Sequence, residues 1–249
     1  MRPLSGKVAL VTGARRGLGA ATAIALADLG ATVIACGRRP GDCADVVAAI
    51  KAEGGKADDL ALDVADIAAI PARVAAAILR HGGIDILVNN AATIEPMAPL
   101  ARLDPAGFDL AMRVNVSGPA ALVAALWPAM AARGGGRIVN VVSGAAREAL
   151  PGWAAYCTSK AALLMLTRSI ALEGADAKIL GFAFAPGLVD TDMQAAIRES
   201  RINRVADIPR ENLLPPEIPA RAIARLAAGA HDDLSGSYID IRDENLGLA

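Results

Sequence analysis

The chain has 249 residues, enough to bury a full core as one domain, and its 25 basic and 26 acidic side chains leave a net charge of −1, so no field draws it to nucleic acid or an anionic membrane and the expected partner is a small molecule. Three scattered cysteines, Cys36, Cys43 and Cys157, make neither a disulfide framework nor a zinc knuckle, and with only His81 and His231 beside them no metal site is expected. The first residues lack a leader-like apolar core and the apolar runs are interrupted by Pro119, Pro128 or charge, which points to a cytoplasmic protein without a membrane span.

Residues 7–12 (Lys-Val-Ala-Leu-Val-Thr) read as a strand buried on both faces. Thr12-Gly13-Ala14-Arg15-Arg16-Gly17-Leu18-Gly19 follows, then a helix over 20–29 closed by Gly30. Glycines in such a turn let backbone approach a ligand, and the helix start offers free N–H groups and a positive dipole end to a pyrophosphate. Packing alone can also call for three glycines; their place in a strand–turn–helix unit favours nucleotide binding.

The second strand, 31–36, bears on which nucleotide. Folds that take NAD carry an acid at this strand end, about 20 residues past the glycines, to accept from the ribose 2′-hydroxyl. Here the strand runs into Gly37-Arg38-Arg39-Pro40, and Arg38, Arg39 and Arg16 can fork onto a 2′-phosphate that a carboxylate would repel. The nearest acid, Asp42, is expected to cap the next helix. The expected cofactor is NADP(H).

The alternation continues with a helix over 42–53, a strand over 56–62, a helix over 66–80 and a strand over 84–88. Strands and helices joined by short links specify α/β architecture: a single-domain, doubly wound Rossmann-type parallel sheet flanked by helices on both faces. Ligands of such sheets bind outside the carboxyl ends of the strands. Asp63-Val64 and Asn89-Asn90-Ala91-Ala92 lie at such ends. A helix over 104–132 carries Asn115 on an apolar face, where the plain reading is a satisfied polar group. The fifth strand, 137–142, ends at Ser143-Gly144.

The next helix, 153–173 and closed by Gly174, opens with Tyr156-Cys157-Thr158-Ser159-Lys160. Residues four apart share a helix face, so phenol and ammonium aim at one small volume. A nearby cation lowers a phenol pKa from its ordinary ~10 and suits Tyr156 to acid–base work; the plain alternative is helix decoration. A sixth strand, 178–185, leads into Pro186-Gly187-Leu188-Val189-Asp190-Thr191-Asp192, a turn fit for close contact with a ligand. Residues 193–216 are polar and proline-punctuated and are expected to form a substrate loop or lid. A helix over 218–229 and a strand over 237–241 follow, and the tail, 242–249, has no assigned role.

Together these residues resemble the short-chain dehydrogenase/reductase family over almost the whole chain. Residues 12–19 look like its cofactor signature, Asn89-Asn90-Ala91-Ala92 is similar to its Asn-Asn-Ala-Gly motif with Ala92 replacing glycine, and Asn115, Ser143, Tyr156 and Lys160 match its catalytic tetrad in order and spacing. Residues 186–191 resemble its nicotinamide-side loop. The resemblance implies that Tyr156 gives a proton to a substrate carbonyl as hydride arrives from the nicotinamide, or takes one in reverse. Ser143 would stabilise that oxygen, Lys160 would hold the nicotinamide ribose and lower the tyrosine pKa, and Asn115 would place a water relaying protons to Lys160. It gathers Gly13, Arg15, Arg16, Gly17, Leu18, Gly19, Gly37, Arg38, Arg39, Asp63, Val64, Asn90, Ala91, Ala92, Tyr156, Lys160, Pro186, Gly187, Val189 and Thr191 around the cofactor. It also implies a homodimer or homotetramer formed through the tyrosine-bearing helix and the one before it.

Residues 190–200 and 236–241 resemble the branch holding sepiapterin reductases and bacterial benzil (1,2-diketone) reductases. Asp240-Ile241-Arg242 stands where the family usually ends in Asp-Gly-Gly, which weakens the likeness to 3-oxoacyl carrier-protein reductases. The expected activity is NADPH-dependent reduction of a ketone, diketone or related carbonyl. A 3-oxoacyl-thioester reductase, an alcohol dehydrogenase of the same family, and a non-catalytic NADP-sensing regulator are the alternatives.

Overall fold

The computed structural model describes residues 2–243 and 247. Its strands are β1 (Val8–Thr12), β2 (Thr32–Gly37), β3 (Lys56–Ala61), β4 (Ile86–Asn89), β5 (Gly136–Val141), β6 (Ile179–Ala185) and β7 (Tyr238–Asp240). They form one sheet in the order β3-β2-β1-β4-β5-β6-β7, with every neighbouring pair parallel. The order reverses between β1 and β4, and the crevice at such a switch point is where doubly wound sheets hold ligands.

Side chains alternate across each strand, and here both faces meet helices. Ala9 and Val11 of β1 join one core with Leu26 of α1 (Gly17–Asp28), Ile50 of α2 (Ala44–Ala52) and Ile223 of α8 (Glu217–Ala227). Val8 and Leu10 join the other with Val74 of α3 (Ile70–His81), Leu122, Leu126 and Met130 of α5 (Gly118–Ala132) and Ile170 of α6 (Ala154–Gly174). Each large aliphatic buried this way contributes about 1.5–3 kcal/mol. A buried polar chain ties α6 to the sheet: Asn89 Nδ2 donates to Asn140 Oδ1 at 2.8 Å, and Asn140 Nδ2 donates to Thr167 Oγ1 at 2.8 Å.

The expected helix over 104–132 is continuous but not uniform. It comprises α4 (Pro105–Met112), a π-helical turn at Arg113–Ser117, and α5. Its 28 residues include an 18-residue window apolar enough, by length and composition, to cross a membrane, though Pro119, Pro128 and charged residues interrupt the helix as expected; its inner face is part of the second core. Gly174 is the last residue of α6, with Ala175 as its C-cap. A Cβ there would lie 2.2 Å from Ile179 O, so the glycine serves the close approach of helix and strand. The expected lid contains all but the first residue of the helix α7 (Asp192–Ser200), and near the lid's end Leu214 returns to pair with the turn before it, Leu214 N donating to Leu188 O at 2.7 Å and Asp190 N to Leu214 O at 2.9 Å. In the tail, 244–246 and 248–249 lie outside the described residues.

Candidate active site

At the carboxyl end of β1 the glycine turn is held by contacts that leave no room for side chains. Gly13 and Gly17 have φ of 64° and 55°, in the left-handed region glycine tolerates. A Cβ on Gly13 would lie 2.9 Å from Ala91 Cα, and one on Gly19 would lie 2.3 Å from Gly13 O. Asn90 clamps the turn, its Nδ2 donating to Thr12 O at 2.8 Å and Gly13 O at 3.2 Å, while Thr12 Oγ1 accepts from the Asn90 and Ala91 N–H groups at 3.0 Å each. Asn90 therefore positions the turn, with its amide N–H groups engaged inside the protein. Arg16, the N-cap of α1, makes no side-chain capping bond, and the first turn carries no acid. That helix start is open to the cleft with its positive dipole end available to an anion.

Beyond β2, Arg38 lines the same cleft as Arg15 and Arg16. Arg39 does not. Asp42 departs from its expected capping role as well. Cys43 occupies the N-cap of α2, and Asp42 Oδ2 accepts from Arg39 N at 3.1 Å across the turn. Its Cβ stands 2.4 Å from where a Gly37 Cβ would be, so the glycine lets the carboxylate fold into the cleft beside Arg38. The pocket that the sequence leads one to expect free of acid holds one.

Ser143, Tyr156 and Lys160 meet at the ends of β5 and α6, all lining the cleft. Burial pushes the Tyr156 phenol up to about 12, a hydrogen bond with the Ser143 side chain pulling the other way. Lys160 Nζ donates to Val141 O at 2.7 Å and stands 5.5 Å from the Tyr156 ring centroid; burial pulls its pKa down to about 8. Desolvation of the phenolate is thus the largest influence on Tyr156, and the opposing pull comes from Ser143. Asn115 is fully buried and off the cleft surface. Its Nδ2 donates to Thr93 O at 2.8 Å and Ser159 Oγ at 2.9 Å, and its Oδ1 accepts from Thr93 N at 2.9 Å. Both amide N–H groups are engaged within the protein. Ser159, which also donates to Tyr156 O at 2.8 Å, links this π-turn to the tyrosine.

The cleft has a volume of about 1140 Å³ and brings together every sequence-predicted cofactor residue except Arg39. Asp63 Oδ1 accepts from Ala65 N at 2.9 Å. Gly17 admits Thr191, whose Cγ2 lies 3.1 Å from a Gly17 Cβ position, so the turn leading into the lid passes directly over the glycine turn. Ion pairs hold the mouth: Arg16 with Asp192, Arg204 with Glu148 at 2.5 Å, and Arg210 with Asp190 at 2.8 Å. The lid half is apolar within, with Ile94, Trp153, Tyr156, Ile197 and Val205 in one cluster and Trp153 edge-on to Tyr156 at 5.7 Å between centroids. Thr93, Trp153 and Ser159 had no assigned role from the sequence, although Ser159 lies between the tyrosine and the lysine, and Gln194 entered only within the 190–200 stretch that resembles the reductase branch.

A parallel sheet with its switch-point cleft, an uncapped helix start and a buried tyrosine–lysine pair defines a Rossmann-type oxidoreductase. The sequence profile of the short chain dehydrogenase family matches residues 7–202, and the chain belongs to the short-chain dehydrogenase/reductase family. It is thus an oxidoreductase of alcohol or carbonyl substrates. Cis-4-hydroxycyclohexanecarboxylate dehydrogenase of Sinomonas cyclohexanicum is 36% identical over 240 residues, covering 94% of each chain. Galactitol 2-dehydrogenase of Agrobacterium fabrum is 41% identical over 188 residues, covering 75% of this chain and 72% of that protein. The structure of gluconate 5-dehydrogenase from Burkholderia cenocepacia in complex with NADP and tartrate aligns with a TM-score of 0.88 at 32% identity, covering 100% of this chain and 98% of that one.

Proposed function

We propose that the protein is an NADP(H)-dependent carbonyl reductase that converts a ketone, diketone or related carbonyl to an alcohol, with Tyr156 as proton donor. The observation that carries this reading is the meeting of Tyr156, Ser143 and Lys160 at one end of a cleft whose other end holds an uncapped helix start and three arginines. The chemistry of that end fits a dinucleotide phosphate: the α1 N–H groups suit the pyrophosphate, and Arg38 suits a 2′-phosphate. NADP(H), when bound, supplies the hydride.

With its pKa near 12 the Tyr156 phenol is protonated at neutral pH and is ready to donate to a carbonyl oxygen. Ser143 adds a second hydrogen bond to the charge developing on that oxygen. As the phenol proton leaves, the Lys160 ammonium offsets the phenolate charge, and below about pH 8 it remains largely charged. Asn115 acts through position, its engaged amide holding the π-turn against Ser159 and so against α6.

Two features bear on the cofactor in opposite senses. Arg38, and the NADP bound to the related gluconate 5-dehydrogenase, support NADP(H); Asp42 beside it favours a free ribose hydroxyl and hence NAD(H). A second reading, alcohol oxidation, draws on the names of the relatives, which include a hydroxycyclohexanecarboxylate dehydrogenase. Exposed Met165 and Leu172 on α6 support a homo-oligomer, and the free thiols Cys36, Cys43 and Cys157 suit the cytoplasm.

The test follows NADPH and NADH absorbance with ketones, diketones, 3-oxoacyl thioesters and, with the oxidised cofactors, secondary alcohols. Turnover of a ketone or diketone, faster with NADPH, is expected. Tight cofactor binding without turnover of any of them would leave the non-catalytic sensor instead.

A further inference from the structure

Two side chains that line the lid half of the cleft, and a third just behind its lining, carry nitrogen donors with no hydrogen-bond partner among the described residues. Trp153 and Gln194 both line the cleft and are each 4% exposed, yet the indole Nε1 and the amide Nε2 are buried and unpaired. Arg198 stands one turn beyond Gln194 on the same face of α7, behind the cleft lining, and its Nη1 is likewise buried and unpaired. An unpaired buried donor is a net cost to the fold, and donors left so in a cleft are completed by what binds there.

The chemistry of these groups selects their complement. An indole N–H and a guanidinium donate only, so the missing group is an acceptor oxygen. The guanidinium also favours an anion. Four carboxylates border this half of the cleft, and each is already matched by an arginine: Glu148 by Arg204, Asp190 by Arg210 at 2.8 Å, Asp192 by Arg16, and Asp240 by Arg242 at 2.6 Å. Their charge is compensated, and an incoming anion meets donors in place of bare carboxylates. Trp153 packs edge-on to Tyr156 with 5.7 Å between ring centroids, so donor and reacting tyrosine serve one small molecule.

We propose that the substrate carries, besides the carbonyl reduced at Tyr156, a carboxylate that accepts hydrogen bonds from Trp153 Nε1 and Gln194 Nε2, with the Arg198 guanidinium as supporting charge. This rests on the reading that the substrate reacts at Tyr156. The apolar walls of Ile94, Ile197 and Val205 then take the carbon skeleton between the two oxygen functions.

Steady-state kinetics with a matched series tests it: a cyclohexanone bearing a ring carboxylate, its methyl ester, and the ketone bearing a methyl group at the same position. The acid is expected to exceed the methyl ketone in kcat/KM by about tenfold or more, the discrimination a site built to pair a polar group can achieve. Trp153→Phe keeps an aromatic ring and removes the N–H, and Gln194→Glu keeps size while placing a like charge; both should collapse that ratio towards one, Gln194→Glu the more strongly. Equal or poorer turnover of the acid by the wild type, or an unchanged ratio in both variants, overturns the assignment. Should no carbonyl be turned over, the reductase reading fails separately. Calorimetric titration with cyclohexanecarboxylate against cyclohexylmethanol then decides the carboxylate site, binding lost in Gln194→Glu supporting it and no preference for the acid overturning it.

Discussion

In the cofactor half of the cleft the ligand-facing surface is largely backbone: glycines at positive φ, the open first turn of α1, and a turn clamped by Thr12 and Asn90. In the lid half it is side chains from residues far apart in sequence, Ile94, Trp153, Gln194 and Val205, held by exposed ion pairs and carrying unpaired donors. A backbone cradle accepts one kind of ligand across many sequences. A side-chain pocket can change substrate with a few substitutions while the hydride-transfer machinery between the halves stays in place.

Substitutions where the halves meet should have the largest effects. Tyr156→Phe removes the proton donor and should lower kcat by about a thousandfold or more, with NADPH affinity by fluorescence titration nearly unchanged. Ser143→Ala should lower kcat about a hundredfold, the effect of one lost oxyanion donor, with KM little altered. Either variant retaining near wild-type kcat would detach the chemistry from this junction.

Lys160→Met should separate activity from stability. A lysine pulled down to about 8 by burial disfavours folding while charged, so the variant should be inactive yet more stable by about 2 kcal/mol near neutral pH. The sign follows from proton linkage. With the folded pKa below the ordinary 10.5, the unfolded chain binds more protons from this group between about pH 8 and 10, and its contribution makes stability rise with pH there. Melting temperatures across that window should lose this increment in the variant, and activity in the wild type should fall above about pH 8 as the ammonium titrates.

On the cofactor side, Arg38→Asp should move the NADPH to NADH preference by about tenfold or more towards NADH; no change would assign the 2′-phosphate to another group. The smallest effect is expected at the exposed Arg16–Asp192 pair over the mouth. Arg16→Ala should change stability by less than about 1 kcal/mol in chemical denaturation.

The same contrast explains what was legible in the sequence. The strand–glycine–helix unit, the tyrosine–lysine spacing and the alternation that yields a parallel sheet are local patterns, and the sheet has the expected class and both covering layers. Residues whose state depends on distant partners were not legible. Asn115 lies in a π-turn because Thr93 and Ser159 engage its amide. Asp42 turns into the cleft because Gly37 leaves it room, and the phenol pKa rises because the fold closes over Tyr156. The lid reads as polar loop because α7 buries only Gln194 and Ile197 among its nine residues.

The central claim is hydride transfer to a carbonyl carbon with Tyr156 supplying the proton. Incubation of a turned-over ketone with NADPH deuterated at the transferable position, followed by mass spectrometry of the alcohol, tests it most directly. One deuterium on the carbinol carbon in the wild type, and almost none with Tyr156→Phe in the same time, is the predicted result. Alcohol formed without deuterium, or equal labelling by the variant, would contradict it.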